Sequence, residues 1–552
     1  MSPSQQDQIL CDGCGLPPEP SRKLVRCSRC KSAWYHGIDC QRRHHPEHRK
    51  GCREIARKKA VPSALGSRRQ NSDEDAAFRI EQRSGRGRCT ISARRLPKHY
   101  RLDGEESPLV VPVLIRSQRE LRCALCFGRA QRDIFLNNGV PAHQRPLLHR
   151  FCSTRCRDEF ATEGAEEEMV AFRFKRDCGE SLRDLGSTAL LCHRVFRLMA
   201  EKNEDVMSNM QFHLDPDNAD ECNFLKHGVV DVAWDLSRWC NWYDDLVKNS
   251  DGVPADPFVQ NLVHRKGNSW ERLASKIITN AFTICDGEGI SLGFGLYSTA
   301  AGINHSCAPN LVQTFRYGSA FQGSPPILLL TTSCKVRSGE ELCIGYTDIF
   351  APPAVRKRIL LDGYKFECDC TRCDAESSVT GEDIGEGKEA FAVVQKFNQV
   401  RKVSNLSLMS SGQADETFAA SNLCQLKVAY EEISKRCSPN TWYFQEAGEA
   451  LVQGLLESVG AAETERAQRE CCAFALHILV ALKSAKRNGS GFNPLSDLLR
   501  GYKINKLRLF LQSDPRPALL ELQQIHAELL HYYPKQSEYI NDMEDCMRSG
   551  MA

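Results

Sequence analysis

The cysteines of this 552-residue chain constrain its fold more than any other feature, because nearly half of them fall into groups with short spacings. Six of the 27 lie within the first 52 residues, four form the pairs Cys123/Cys126 and Cys152/Cys156, and three lie in Cys368-Asp-Cys370-Thr-Arg-Cys373. The first residues lack a basic segment followed by an apolar one, and the longest apolar run is too short to cross a bilayer. We therefore expect a chain without a membrane span in a reducing compartment, the cytoplasm or the nucleus, where clustered cysteines bind metal rather than form disulfides.

The N-terminal group contains four ligand pairs, two of the form Cys-x2-Cys and two of the form His-x3-Cys. Zinc takes four tetrahedral nitrogen or sulfur ligands, so eight ligands predict two sites. A segment of about 50 residues with few apolar runs cannot build a core of its own, which makes metal the expected source of its stability. The alternative, a set of unpaired surface cysteines, does not explain the regular spacing. The eight candidate ligands are Cys11, Cys14, Cys27, Cys30, His36, Cys40, His48 and Cys52.

Overall charge excludes two broad classes of function. There are 73 Lys and Arg residues against 70 Asp and Glu, a net charge of +3, which rules out a uniformly basic nucleic-acid coat or an acidic tail protein. A local basic stretch, Arg42 to Lys59, is either a solvated helical face or a weak nucleic-acid contact. The polar residues 61–79 that follow lack an apolar period and are typical of a linker.

Four further motifs occur in a fixed order along the chain. They are the glycine turn Gly85-Arg86-Gly87, the run Asn304-His305-Ser306-Cys307, the run Glu340-Glu341-Leu342-x3-Tyr346 and the triple-cysteine segment that ends at Cys373. The glycine turn is a weak signal alone, because glycine turns between strands are common. A single chance loop explains one such motif, but it does not explain the ordered set.

The N-terminal cluster, with Trp34-Tyr35-His36 and Cys40-Gln41, resembles the MYND zinc finger. The resemblance implies cross-braced pairs, so that Cys11, Cys14, His36 and Cys40 hold one zinc and Cys27, Cys30, His48 and Cys52 hold the other. His36 stands where the family has Cys, and imidazole is a competent zinc ligand. His45 stands where the family usually has Trp, which weakens the inference that this finger binds partner peptides.

The ordered motifs resemble the SET domain with its post-SET cap, and together with the finger they resemble the SMYD-type protein lysine methyltransferases. The resemblance implies S-adenosylmethionine as cofactor and Tyr346 and His305 as catalytic residues. It implies that Cys307 joins Cys368, Cys370 and Cys373 in one zinc site, which supplies the fourth ligand that three cysteines lack. The cofactor-binding residues that it implies are Gly85, Arg86, Gly87, Asn280, Asn304, His305, Tyr364 and Phe366.

The implied chemistry is an in-line displacement in which a methyl group passes from a sulfonium to a neutral amine. Alignment of the two reactants can lower the barrier by up to about 7–11 kcal/mol. A lysine in an apolar channel is desolvated, which lowers its pKa and favours the nucleophilic form. The alternative for Tyr346 is a strand tyrosine packed in the core.

A second cysteine group lies where SMYD-type proteins carry their finger. Cys123, Cys126, Cys152 and Cys156 match the spacing of two pairs that share one zinc in a MYND finger, which predicts a reduced finger with a single site. The alternative is four thiols without metal. With this site the chain is expected to bind about four structural zinc ions.

The expected fold class is α+β, with several domains. The expected order is a MYND finger with a basic helix (1–60), a linker (61–79), the first part of a SET domain (80–122), the reduced finger (123–160), a helical insert (161–275), the SET core (276–350), the post-SET cap (351–374) and an all-α, tetratricopeptide-like region (375–552). Amphipathic patterns predict helices at 389–402, 416–436, 442–458, 462–485, 494–512 and 516–532.

The function expected from these residues is lysine methylation of a histone or non-histone protein by a chain that we expect to be monomeric. The rival interpretation is a catalytically weak adaptor, whose finger recruits protein partners and whose SET domain is a scaffold. Retention of Asn304, His305 and Tyr346 favours the enzyme. Neither the substrate lysine nor the degree of methylation follows from the sequence, because several loops build the channel that selects them.

Overall fold

The structure, a computed structural model, forms two compact units, residues 1–75 and residues 76–552. It describes residues 11, 14, 25–26, 33–44, 48, 76–83, 86–115, 118–131, 133–136, 149–161, 163–164, 167, 187–202, 206–207, 276–277, 279–287, 290–377, 416–459, 464–485 and 493–551. Helices and strands are both present, which confirms a mixed helix-and-sheet chain. The predicted helix 389–402, most of the predicted linker and residues 208–275 of the predicted helical insert lie outside the described residues.

The first unit contains one short antiparallel pair, β1 (Val25–Arg26) and β2 (Trp34–Tyr35). Tyr35 is 2% exposed, and its hydroxyl lies 3.1 Å from Nδ1 of His44. The ring of His44 in turn stacks on His48 at 5.3 Å between centroids. These aromatic contacts give a small module a local packing centre, since it has little apolar surface to bury.

The second unit opens with a hairpin of β3 (Phe78–Arg83) and β4 (Gly87–Ser92). Arg83 and Gly87 are opposite each other, and the amide of Arg86 donates to the carbonyl of Arg83. Gly87 has φ +68°, a left-handed conformation that glycine adopts without steric penalty. The glycine turn expected from the sequence therefore closes this hairpin.

Two three-stranded antiparallel sheets follow. In one, β10 (Leu311–Arg316) pairs with β11 (Ile327–Thr332), which pairs with β5 (Arg101–Glu106). In the other, β8 (Ser291–Leu296) lies between β6 (Val113–Leu114) and β7 (Ala281–Cys285). All six residues of β11 are buried, as expected for a central strand covered on both faces.

A short parallel pair brings distant motifs together. It joins β9 (Asn304–His305) to β12 (Cys343–Ile344), with Asn304 opposite Cys343 and His305 opposite Ile344. One core lies beneath these strands and includes Tyr297, Phe315 and Leu328, with Tyr346 packed against its edge. Aliphatic and aromatic burial of this extent is the main stabilising term for such a sheet core.

Two helices form the segment that follows β12. Helix α2 (Pro353–Tyr364) begins with proline at its first position and ends at Lys365, whose φ of +58° terminates the helix. Helix α3 (Thr371–Ser377) begins inside the triple-cysteine segment. In the expected helical insert, the structure describes helix α1 (Ser187–Lys202), which precedes both.

The C-terminal region is helical throughout its described part. Its helices are α4 (Glu416–Arg436), α5 (Trp442–Val459), α6 (Glu465–Ser484), α7 (Pro494–Leu511), α8 (Pro515–Leu529) and α9 (Glu538–Met551). Five of the predicted helices correspond to α4–α8 within three residues at each end. Helix α9 was not among the predicted helices, although Ile540, Met543 and Met547 recur at helical spacing and are buried on one face. None of the described helices is long and apolar enough to span a membrane.

The helical region packs directly on the sheets of the second unit. Val312 of β10 shares a buried cluster with Tyr532, Tyr539 and Ile540. Thr314 donates from its hydroxyl to the carbonyl of Tyr532 at 2.8 Å. The two parts therefore form one continuous unit rather than two domains joined by a linker.

Candidate functional site

The parallel pair β9–β12 positions the candidate site. The amide of Ser306 donates to the carbonyl of Ile344 at 3.0 Å, which extends the pairing past His305. The strands deliver the Asn304-His305 motif and the segment that leads to Tyr346 to the same place, although some 40 residues separate them in sequence.

Glu341 links three parts of the site. The Asn304 amide nitrogen donates to Glu341 Oε1 and to the carbonyl of Arg88, both at 2.9 Å. Arg86 donates through Nη1 to Glu341 Oε2 at 2.9 Å and through Nη2 to Asp369. The Glu341 side chain is 10% exposed, so its two oxygens are largely committed to these partners. Charge-assisted bonds of this kind fix side-chain orientation more firmly than neutral ones.

His305 has a defined tautomer. The amide of Tyr346 donates to His305 Nδ1 at 2.9 Å, so Nδ1 carries the lone pair and the ring proton lies on Nε2. His305 Nε2 faces Cys307 Sγ at 3.3 Å. Burial lowers the pKa of His305 to about 4, which keeps the ring neutral at physiological pH.

Three aromatic rings cluster around this histidine. Tyr346 lies 4.8 Å from Tyr364 and 5.5 Å from His305, measured between ring centroids, and Phe366 lies 6.1 Å from His305. The Tyr346 hydroxyl donates to the carbonyl of Ile303 at 2.6 Å. Burial raises the pKa of Tyr346 above its usual value, so the hydroxyl remains protonated. The arrangement offers an apolar wall with one oriented hydroxyl.

Four cysteines of the second unit meet behind the aromatic cluster. Cys307 Sγ lies 3.9 Å from Cys368 Sγ and 3.5 Å from Cys373 Sγ, and all four ligand sulfurs, including that of Cys370, lie within 4.8 Å of one another. A disulfide requires about 2.05 Å, whereas sulfurs around tetrahedral zinc lie about 3.8 Å apart. The donor set and the spacing therefore fit zinc.

A buried cation lies against these sulfurs. Arg356 is 1% exposed and donates from Nε to Cys307 Sγ at 3.2 Å and from Nη2 to Cys373 Sγ at 3.7 Å. Its Nη2 also donates to Glu376 at 2.6 Å, and Arg372 donates to the other oxygen of Glu376 at 2.8 Å. Four thiolates around one Zn²⁺ carry a net charge of −2, which a buried guanidinium offsets in part.

The second cysteine group forms a similar cluster. Cys123, Cys126, Cys152 and Cys156 are all buried, and their sulfurs lie within 4.8 Å of one another. The amide of Gly323 donates to Cys156 Sγ at 3.2 Å. The spacing again fits zinc rather than disulfides, since Cys126 Sγ and Cys152 Sγ are 3.4 Å apart.

The first unit contains a third such group. Cys11, Cys14, His36 and Cys40 place one ligand atom each within 4.8 Å of the others, and Cys14 Sγ lies 3.3 Å from His36 Nδ1. This is the predicted ligand set in which His36 replaces a cysteine. Of the other predicted set, the structure describes only His48; Cys27, Cys30 and Cys52 lie outside the described residues, as do His45 and most of the basic stretch Arg42–Lys59.

Gly85 and Asn280 are the two residues predicted to bind the cofactor that have not yet been located. Gly85 is outside the described residues. Asn280 is 5% exposed, and its amide nitrogen donates to the carbonyl of Lys276 at 2.7 Å, just before β7. Sequence reasoning missed Glu341 as a link, and it missed Asp369 and Arg356. In the sequence, Glu341 is only the second glutamate of Glu340-Glu341-Leu342, Asp369 is the residue between Cys368 and Cys370, and Arg356 is an arginine 12 residues before Cys368.

Comparison with known proteins finds one family model and several partly similar relatives. The model of the MYND finger family matches residues 11–52. Histone-lysine N-methyltransferase SMYD3 of Mus musculus is 38% identical over 130 residues, which cover 23% of this chain and 28% of that protein. N-lysine methyltransferase SMYD2-B of Danio rerio is 33% identical over 280 residues, 48% of this chain and 53% of that protein. Protein SET DOMAIN GROUP 41 of Arabidopsis thaliana is 26% identical over 205 residues, 29% of this chain and 37% of that protein.

These matches span about half or less of the length of each relative. The finger match together with the described Cys/His groups supports zinc binding. The MYND finger and the partial matches to these relatives relate this chain to the SMYD-type protein lysine methyltransferases, proteins that combine SET and MYND domains.

Proposed function

We propose that the chain is an S-adenosylmethionine-dependent protein lysine N-methyltransferase. In this proposal residues 80–122 and 276–350 form a SET domain, and residues 351–374 form its cap. The parallel pairing of Asn304–His305 with Cys343–Ile344 carries the proposal, because it places Tyr346 beside the expected cofactor motif. The names of the relatives as lysine methyltransferases support the same activity.

The polar groups around Glu341 fit the charged end of the cofactor. Arg86 offers a guanidinium, 38% exposed, for a carboxylate, while the exposed Asp369 offers negative charge for an ammonium group. Gly87 has no side chain and lets the backbone approach a ligand closely. When bound, S-adenosylmethionine supplies an electrophilic methyl group on a sulfonium. Its proposed contacts are Gly85, Arg86, Gly87, Asn280, Asn304, His305, Tyr364 and Phe366.

Tyr346 is the proposed orienting residue at the reacting atoms. Its proton is committed to the Ile303 carbonyl at 2.6 Å, so the oxygen lone pairs remain available for weak polar contacts with a methyl group. The bond from the Tyr346 amide to His305 fixes the start of the loop that carries this hydroxyl. His305 acts by position, because its ring is neutral and its nitrogens are engaged by Tyr346 and Cys307.

The aromatic wall prepares the amine. A lysine side chain beside Tyr346, Tyr364 and Phe366 loses water, which lowers its pKa and favours the neutral nucleophile. The same rings restrict the direction from which the amine approaches, and alignment of this kind accounts for a large part of the rate of a displacement reaction.

Zinc has a structural role in this proposal. The ligand sets are Cys11, Cys14, His36 and Cys40; Cys27, Cys30, His48 and Cys52; Cys123, Cys126, Cys152 and Cys156; and Cys307, Cys368, Cys370 and Cys373. The last set attaches the cap to the Asn304-His305 loop, since Cys307 lies two residues after His305. Loss of that ion would release Tyr364 and Phe366 from the site.

The MYND finger suggests a second, compatible role in protein interaction. An adaptor of this kind would bind protein partners through residues 1–60 without needing Tyr346. The two functions separate experimentally, because only the enzyme transfers a methyl group.

The test measures transfer of labelled methyl groups from S-adenosylmethionine to a protein and peptide library, with wild type and Tyr346→Phe. We expect the variant to bind cofactor normally and to lose on the order of 10²–10³-fold in kcat, by analogy with the removal of one preorganised polar group. Tyr430→Phe is a matched control, since Tyr430 packs against Phe444 in the helical region.

Full activity of Tyr346→Phe would refute its catalytic role. Cofactor binding by the wild type without transfer to any substrate would favour the adaptor. The library also identifies the acceptor lysine and the degree of methylation.

A further inference from the structure

Two histidines and a glutamate meet at the boundary between the sheets and the helical region, away from the Tyr346 site. His99 lies just before β5, Glu528 lies near the end of α8, and His531 follows that helix by two residues. One ligand atom from each residue lies within 4.8 Å of the other two. His99 Nε2 and Glu528 Oε1 are 3.0 Å apart.

The backbone around these residues is well anchored. His99 has φ +64°, an uncommon conformation for a residue with a side chain, and its amide donates to the carbonyl of Thr332 at 3.0 Å. Arg101 donates to the carbonyls of His531 and Tyr532 at 3.2 and 3.3 Å. With this φ the His99 ring faces α8. Uncommon backbone conformations of this kind are concentrated at functional positions.

We propose that His99, Glu528 and His531 form a further metal site that takes a divalent transition ion such as Zn²⁺ or Co²⁺, with water completing the coordination. Two imidazoles and one carboxylate are a common ligand set for such ions.

Metal binding at this site requires two small rearrangements. The rings of His99 and His531 now stack at 4.1 Å between centroids and 15° between planes, whereas ligand nitrogens around tetrahedral zinc lie about 3.3 Å apart and point at the ion. His531 is exposed, so its ring turns without disturbing the core. Lys98 Nζ lies 2.9 Å from the same Glu528 oxygen and must give way to the ion.

A bound ion would join the loop before β5 to the end of α8. It binds only when both parts are folded together, so it would stabilise the native state in proportion to its free concentration. The helical region would then be held against the sheets by metal as well as by the Val312–Tyr532 cluster. This inference is independent of the methyltransferase proposal.

The experiment titrates Co²⁺ into the purified full-length chain with its zinc ions retained, followed by calorimetry and visible absorption. We expect one additional ion with the weak absorption of nitrogen and oxygen ligands. Entry into a cysteine site would instead give intense sulfur-to-cobalt absorption. The melting temperature should rise with Co²⁺ concentration.

Five variants make the outcome decisive. His99→Ala, Glu528→Gln and His531→Ala should each weaken Co²⁺ binding at least about tenfold, while Lys98→Ala should strengthen it. His526→Ala is the matched control. His526 lies on the same helix as Glu528, and it pairs with Glu544 of α9 at 3.2 Å in a pair that contains no second histidine. If wild type binds no additional Co²⁺, or if His531→Ala binds it as tightly as His526→Ala, the cluster is only an ion pair.

Discussion

Replacement of Glu167 by Gln tests how the second cysteine cluster is held against the sheets. Glu167 is 2% exposed and accepts from Arg194 Nε at 2.5 Å and from Arg194 Nη2 at 2.9 Å. Its Oε2 also lies 2.8 Å from Nε2 of His149, three residues before Cys152. Arg194 of α1 donates further to the carbonyls of Val111 and Pro112, just before β6.

The expected loss is large because the substitution leaves a buried cation without its counter-charge. Removal of one partner from a buried pair destabilises a protein by about 3–5 kcal/mol. Glu167→Gln keeps the size of the side chain, so the loss comes from charge and not from a cavity. Arg194 is 6% exposed and cannot recover solvation in place.

The measurement is native-state hydrogen exchange, which reports local opening in a chain of several cooperative parts. Amides near Phe151 and Val113 should exchange on the order of 10²–10³-fold faster in the variant, the equivalent of about 3–4 kcal/mol. Amides of α5 and α6 serve as internal controls. The double variant Glu167→Leu, Arg194→Met should recover only part of the stability, because it removes the unpaired charge but leaves the carbonyls of Val111 and Pro112 without their donor. A change below about 1 kcal/mol in the single variant would show that the pair is solvated and would refute the reasoning.

Three further predictions concern the two buried cysteine clusters and the carboxyl group of Glu106. Arg356→Met removes two N–H···S bonds, so a chelator should extract zinc about 10–100-fold faster than from wild type. Arg372→Met, whose native side chain donates to the Cys307 carbonyl and to Glu376, is the control. Cys123→Ser with Cys126→Ser should lower the zinc content from four ions per chain to three, and an unchanged content would show that this group binds none. Burial raises the pKa of Glu106 from its usual 4.5 to about 7, so the folded chain holds a proton that the unfolded chain has released. The stabilisation of the native state by this protonated carboxyl group is therefore complete below about pH 4.5 and is lost as the pH rises through 7. The difference in free energy of unfolding between wild type and Glu106→Gln should change by on the order of 1–3 kcal/mol across that range. A difference that stays constant with pH would contradict the raised pKa of Glu106.

The ligand pairs were predictable because they are local. Two residues of the form Cys-x2-Cys lie on one turn, so their spacing determines that they can bind the same ion. The helices α4–α8 were predictable for a similar reason, since each carries an apolar face with helical spacing. Helix α9 carries the same kind of pattern in Ile540, Met543 and Met547 but was overlooked, and the structure shows that this face packs in the cluster that contains Val312.

The contacts that organise the candidate site were beyond sequence reasoning. Arg86 and Glu341 are 255 residues apart, and Arg86 and Asp369 are 283 residues apart. No local pattern encodes such pairs, because side-chain partners over this separation depend on how strands are ordered in space. The same holds for His99 with His531, which approach each other only when α8 packs beside β5.

By itself the sequence determined the chemistry of the ligands: which residues can bind zinc, and the run of motifs that resembles a methyltransferase. It did so because the spacing of residues within a turn or strand determines which side chains can bind the same ion or contribute to the same motif. The tertiary structure alone decided which groups orient those motifs, since Glu341, Arg356 and the Ile303 carbonyl become partners only through the pairing of β9 with β12 and the packing of α2 on Cys307. Packing between distant segments determines burial and charge pairing, and these are the quantities that set pKa, orientation and stability at the site.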